Sequence, residues 1–311
     1  MRPRSTHPST PLVSGLIASL VFLAGAAAFE YGRTSSAEAD VGLYAEPLPV
    51  VAIDTPLIEP PIAQTSAAQR DIRPVVALVI DDAGVDPALT RRAIALQIAV
   101  TMSFLPYAEA TPELALAAAE EGHSIFLHMP MEPYGLQDPG PGALTRYLPQ
   151  DEIAQRMTAA FARVPGAIGF NNHMGSAFTA DADAMRSALA PLADSDLIFL
   201  DSLTSGRSRA GWIAGEIGLT SLRRDIFIDH DADQVSAMLD AVVVEAQSNG
   251  SAIAIGHPRA GTLNVLEEWL ESEAAQTVRF VTMQEYVDQL GSPGRINRAS
   301  NETVGQFGGA E

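Results

Sequence analysis

The chain has 311 residues, 47% of them hydrophobic and only 6% aromatic, which is enough apolar mass for one large domain or two small ones with a mainly aliphatic core. Its formal net charge of −19 argues against nucleic acid or an anionic lipid surface as a partner, since both require a basic face. There is no Cys and no Lys, so a thiol nucleophile, an iron–sulfur site, a disulfide framework, a Walker phosphate loop, a pyridoxal Schiff base and a lysine base are all excluded.

Arg2 and Arg4 precede an uncharged apolar stretch over 12–29, close to the roughly 20 residues that span a bilayer. Residues 1–29 are expected to form a cytoplasmic stub with a signal anchor or signal peptide, and this segment is the one expected membrane contact. Small residues at 25–28 suit cleavage and the length suits retention, so both remain open. Residues 30–72, rich in Pro, Ala, Ser and acidic residues, read as a flexible linker, and 291–311 as a disordered tail.

Between 73 and 290, short apolar runs alternate with Ala/Leu-rich stretches. Strands are predicted over 75–80, 100–105, 124–128, 167–170, 197–200, 225–228, 252–255 and 278–281. Helices are predicted over 87–96, 112–121, 150–163, 182–192, 231–247 and 262–275, the fifth with Asp231 as N-cap. This alternation predicts the α/β class with a parallel sheet, built as a (β/α) barrel of seven or eight units. A doubly wound open sheet is the alternative, although no glycine-rich dinucleotide loop follows the first strand.

Active sites of parallel barrels collect at the C-terminal strand ends. Asp81-Asp82 follows the first strand, and His128 opens His-Met-Pro-Met-Glu-Pro, which contains Glu132. Asn171-Asn172-His173 follows the fourth strand, Asp201-Ser202 the fifth, Arg224-Asp225 and Asp229 bracket the sixth, and Gly256-His257-Pro258 follows the seventh. Any one of these alone reads as a cap or a structural residue. Together they place imidazoles and carboxylates around one mouth, a ligand set for Zn²⁺ or a similar divalent ion. A serine hydrolase built on Ser176 or Ser202 lacks the Gly-x-Ser-x-Gly elbow. A carboxylate-only glycosidase pairing Asp81 with Asp201 or Asp229 ranks below the metal reading.

These segments, in this order, resemble the divergent polysaccharide deacetylase family of bacterial envelope proteins, over about residues 73–290. The resemblance implies a glycoside hydrolase/deacetylase-type barrel that uses a divalent metal, commonly zinc, to remove acetyl groups from an N-acetylated envelope glycan. It implies Asp81 as general base, Asp82 and His128 as ligands, and His257 as general acid. The second histidine of the superfamily's metal motif, four residues after His128, is Glu132 here. His173 is expected to complete the Asp/His/His set, with Glu132 as the alternative ligand and otherwise a substrate residue. Asn172, Asp201, Arg224, Asp225 and Asp229 are expected to bind substrate or orient the base. The resemblance places the domain on the periplasmic side of the inner membrane. A catalytically inactive barrel that binds glycan or a protein partner is the competing reading.

Overall fold

A computed structural model describes residues 71–290. The expected apolar stretch at 12–29, the linker up to residue 70 and the tail at 291–311 lie outside the described residues. Among the described residues no helix is long and apolar enough to cross a membrane.

The chain order is β1 (Val75–Ala83), α1 (Pro87–Ile94), β2 (Thr101–Phe104), α2 (Thr111–Glu120), β3 (Ser124–Met131), α3 (Gln150–Arg163), β4 (Ala167–Met174), α4 (Ala182–Leu189), β5 (Ile198–Asp201), α5 (Ala210–Glu216) and β6 (Thr220–Arg223). There follow β7 (Ile226–Phe227), α6 (Val235–Asn249), β8 (Ser251–Gly256), α7 (Ala260–Leu270), α8 (Glu273–Gln276), β9 (Arg279–Val281) and α9 (Met283–Leu290). The strands form one sheet in the order β6-β5-β4-β3-β2-β1-β8-β7, and β9 pairs with the start of β1. Every ladder is parallel. The two edge strands, β6 and β7, are joined by Arg224-Asp225. The Arg224 N–H bonds Asp201 O at 3.1 Å and the Asp225 N–H bonds Ile253 O at 2.9 Å, so one dipeptide bridges the seam of the expected (β/α) barrel.

Several predicted elements shift. The 182–192 helix ends as α-helix at Leu189 and tightens into a 3₁₀ turn at Pro191, which has no N–H to donate. Asp231 caps a 3₁₀ turn over Ala232–Gln234, and α6 starts only at Val235. The 262–275 helix is two, because Ser272 caps a fresh start by accepting the Ala275 N–H. Helices α5 and α9 and strand β6 were not among the predicted elements.

Side chains on the two faces of the sheet separate into two cores. Val76, Leu78 and Ile80 of β1 pack with helix residues such as Leu114, Ile153 and Val242. Val75, Ala77 and Val79 face the barrel interior with Phe126, Leu200, Leu222 and Ile255, and Met283 and Tyr286 of α9 join them there. Two residues further along each strand, the interior position turns polar: Asp81, His128, Ser202, Arg224 and His257. The apolar interior layer is thus the floor of the site.

Candidate metal centre at the barrel mouth

Adjacent residues of a regular strand face opposite ways. Asp81 and Asp82 escape this rule because β1 carries one extra residue against β2: Ile80 pairs with Met102, but Ala83 pairs with Phe104. The backbone of Asp82 is left-handed, φ +57, a conformation that Asp tolerates better than most residues. A bulge of this kind re-aims side chains, and here it lets both carboxylates reach the mouth. A second extra residue at Ile168 shifts β4 against β3, so that Gly169, Asn171 and His173 share one face. Gly169 is needed there: a Cβ would lie 2.6 Å from the Phe126 ring and would clash with Ile198 O.

Three ligand atoms converge. His173 Nδ1 is 3.0 Å from Asp82 Oδ1 and 3.2 Å from His128 Nε2, and His128 Nε2 is 3.3 Å from Asp82 Oδ1. Tetrahedral ligation at roughly 2.0–2.1 Å sets donor atoms about 3.3–3.4 Å apart, so the spacing fits a zinc-sized ion. Asp82 Oδ1 is buried and has no hydrogen-bond partner, since neither imidazole approach has hydrogen-bond geometry. Burial opposes ionisation of Asp82, but His128 and His173 outweigh it and hold its carboxyl far below the usual range. Among the described residues, Asp82, His128 and His173 form the cluster able to hold a metal ion.

Two flanking groups complete the mouth. Asp81, 2% exposed, has Oδ2 at 3.6 Å from His128 Nε2, and burial raises its pKa despite the nearby imidazoles. His257 Nε2 lies 3.9 Å from Asp82 Oδ2, and its Nδ1 is 2.9 Å from Asp229 Oδ1. Burial pushes His257 down, but Asp229 overrides it and raises its pKa, while burial of Asp229 is likewise outweighed by His257, which lowers it. Asp229 also accepts from the His257 N–H and Thr262 Oγ1, so it serves His257 rather than facing a ligand directly. A groove of about 700 Å³, lined by Gly84, Val85, Tyr107 and Glu109, begins immediately after the two aspartates.

The remaining predicted residues lie elsewhere or are occupied. Glu132 is outside the cluster: its Oε2 accepts from Arg146 N and Nε, and its Oε1 accepts from Arg146 Nη2 at 2.9 Å, which clamps the loop after β3. Asn172 donates to Met174 O and accepts the Ser202 N–H, so it ties strand ends together. Asp201 accepts from Leu203 N and Ser208 Oγ, and Asp225 accepts from Ile253 N. Arg224 does not pair with the Asp225 carboxylate. Its guanidinium donates to Ser202 O and Leu203 O and stacks 3.8 Å over the Phe227 ring, beside the His257 imidazole that Phe227 also stacks against. The polar atoms of Asn172, Asp201 and Asp225 are therefore spent on backbone and hydroxyl groups, and the expectation that they meet substrate is not what the structure supports. Asn171, by contrast, was not among the predicted site residues, yet it is fully buried between Asp81 and His128. Its signal was available: it stands two residues before His173 and so shares that face of β4.

The family description "divergent polysaccharide deacetylase" matches residues 78–287. The uncharacterized protein YibQ of Escherichia coli K12 is 33% identical over 195 residues, 62% of this chain and 61% of that protein. An uncharacterized Haemophilus influenzae protein is 37% identical over 199 residues, 63% of this chain and 71% of its own length. Among solved structures, an uncharacterized protein from Agrobacterium tumefaciens C58 superposes with a TM-score of 0.66 at 25% identity, covering 69% of this chain and 89% of that one. The match thus spans about three-fifths of the E. coli relative. On the family match across most of its described residues, the chain belongs to the divergent polysaccharide deacetylase family.

Proposed function

We propose that this protein is a metal-dependent hydrolase that removes acetyl groups from an N-acetylated envelope polysaccharide. The observation that carries this reading is the convergence of Asp82 Oδ1, His128 Nε2 and His173 Nδ1 within 3.0–3.3 Å of one another at the mouth of a deacetylase-family barrel. Those three residues would hold a divalent ion, zinc by the donor set. When bound, such an ion supplies Lewis-acid polarisation of the acetamide carbonyl and acidifies a water.

The chain's own groups supply the proton transfers. Asp81, ionised and beside His128, accepts the proton of the attacking water. His257, kept protonated by Asp229, donates to the leaving nitrogen as the C–N bond breaks, which releases acetate and a free amine. The groove beside Tyr107 is where further sugar rings would extend. Glu132 and Arg146 hold the rim rather than the reacting group.

Purified full-length protein, metal-loaded or metal-stripped, is to be offered acetylated chito-oligosaccharides and peptidoglycan fragments, with acetate as the readout. Metal-dependent release that disappears in Asp81→Asn supports the assignment. Stoichiometric metal with no release from any of these glycans contradicts it and favours an inactive barrel that binds glycan or a protein partner.

The proposed location is the periplasmic side of the inner membrane, on the strength of Arg2 and Arg4 ahead of the apolar stretch at 12–29. Recovery of the protein in the cytosolic fraction of its own cells would contradict that.

A further inference from the structure

One amide joins the base to the metal ligands. Asn171 Nδ2 donates to Asp81 Oδ1 at 2.8 Å and to Ser202 Oγ at 3.0 Å. Its Oδ1 accepts from Ser103 Oγ at 2.6 Å and faces His128 Nδ1 at 2.8 Å. Asn171 therefore stands on β4 and holds one side chain from each of β1, β2, β3 and β5, with both donors and both acceptor sites used.

The chemistry of the neighbours fixes which way this amide points. A carboxylate only accepts, so the Asn171 atom against Asp81 must be the NH₂ group; reversal would press oxygen against oxygen in a buried site. The amide oxygen then faces His128, and because it too only accepts, the proton of neutral His128 must sit on Nδ1. That leaves the Nε2 lone pair directed at the space shared with Asp82 Oδ1 and His173 Nδ1.

We infer that Asn171 is a positioning residue with two simultaneous outputs: it sets His128 in the tautomer that ligates through Nε2, and it orients Asp81 as the base. Metal affinity and base orientation are thereby coupled through one side chain. A partner on the far nitrogen of a ligating histidine commonly fixes its tautomer, and that partner is usually a carboxylate or a backbone carbonyl. A neutral amide does the same without adding negative charge, and its nitrogen remains free to hold the second carboxylate. The inference rests on the deacetylase reading for the role of Asp81 but not for the tautomer of His128.

The test compares wild type, N171A and N171D as full-length chains. In metal-free protein labelled with ¹⁵N in the histidine rings, at a pH where the imidazoles are neutral, wild-type His128 is expected as the Nδ1–H tautomer and N171A as a mixture. Loss of this second-layer partner should weaken zinc binding about 10- to 100-fold in N171A. N171D retains an acceptor for His128 Nδ1–H but sets a carboxylate against Asp81. Its zinc affinity should stay within about threefold of wild type while kcat falls about 10- to 100-fold at unchanged KM. An unchanged His128 tautomer in N171A, or equal loss of zinc affinity in N171A and N171D, would overturn the inference. If N171A does not fold, N171D decides alone: retained affinity with lost turnover supports the inference and loss of both refutes it. A wild type that binds zinc but releases no acetate defeats the deacetylase reading, whereas the tautomer and affinity results still judge Asn171.

Discussion

His173 Nδ1 and His128 Nε2 lie 3.2 Å apart, edge to face, and both look onto Asp82 Oδ1. Two imidazole nitrogens at that distance need a proton or a cation between them and the carboxylate. In the metal-free chain a proton fills this role: burial opposes it, yet Asp81 and Asp82 raise the pKa of His128.

The competition between proton and metal has a definite sign. Asp82 is depressed in the folded state, so its contribution to stability is present above the unfolded carboxyl value of about 3.9 and is lost as the pH falls. His128 is raised, so its contribution is present below the unfolded imidazole value of about 6.5 and is lost as the pH climbs through the folded value. A metal ion takes the proton's place and requires the neutral imidazole. The rise in Tm on adding zinc should therefore grow between about pH 6 and about pH 8. Thermal melts with and without zinc across that range check this, and a constant or shrinking increment would contradict it.

Asp229→Asn should act through His257. Asp229 raises the His257 pKa against the effect of burial, and without that charge the imidazole loses its proton at lower pH. The basic limb of the pH profile for acetate release should move down in pH, with the metal content unchanged. An unmoved basic limb would mean that His257 is not the acid.

Glu132 separates the two ligand assignments. Glu132→Gln removes a partly exposed pair with Arg146, a change expected to cost about 0–1 kcal/mol and to leave the metal stoichiometry intact. Equilibrium unfolding together with metal analysis measures both quantities. Loss of metal in this variant would return Glu132 to the ligand set.

The floor under the site should be sensitive to volume. Phe126 is fully buried beneath the polar layer, so Phe126→Ala should cost about 3–5 kcal/mol. Gly169→Ala forces a methyl onto the same ring and should cost about 1–3 kcal/mol. Denaturant unfolding checks both, and a neutral Gly169→Ala would show that β4 has room to shift.

Strands β1, β3 and β8 were legible because each is a continuous apolar run ending in a charged or imidazole residue, the signature of a strand buried on both faces. Helix α3 was legible from end to end because Pro149 precedes it and its apolar positions keep a helical period. Strand β6, Thr-Ser-Leu-Arg, has one apolar residue, and the seven-residue α5 holds two glycines, so neither shows a period. The candidate ligands could be named from their positions at strand ends. The inward turn of Asn171 rather than Asn172 was harder to see, because the extra residue at Ile168 reverses the alternation of β4 partway along. Glu132, Asp201 and Asp225 lie close in sequence to the mouth but are satisfied locally, and only the hydrogen-bond partners reveal it.

The most direct test of the centre is zinc stoichiometry and affinity in the purified full-length chain and in its His173→Ala variant. The structure predicts one divalent ion per wild-type chain and a loss of affinity in His173→Ala beyond the roughly 10- to 100-fold typical of a second-layer change. A wild type that binds no stoichiometric metal, or a His173→Ala variant that holds it as tightly, would contradict the account.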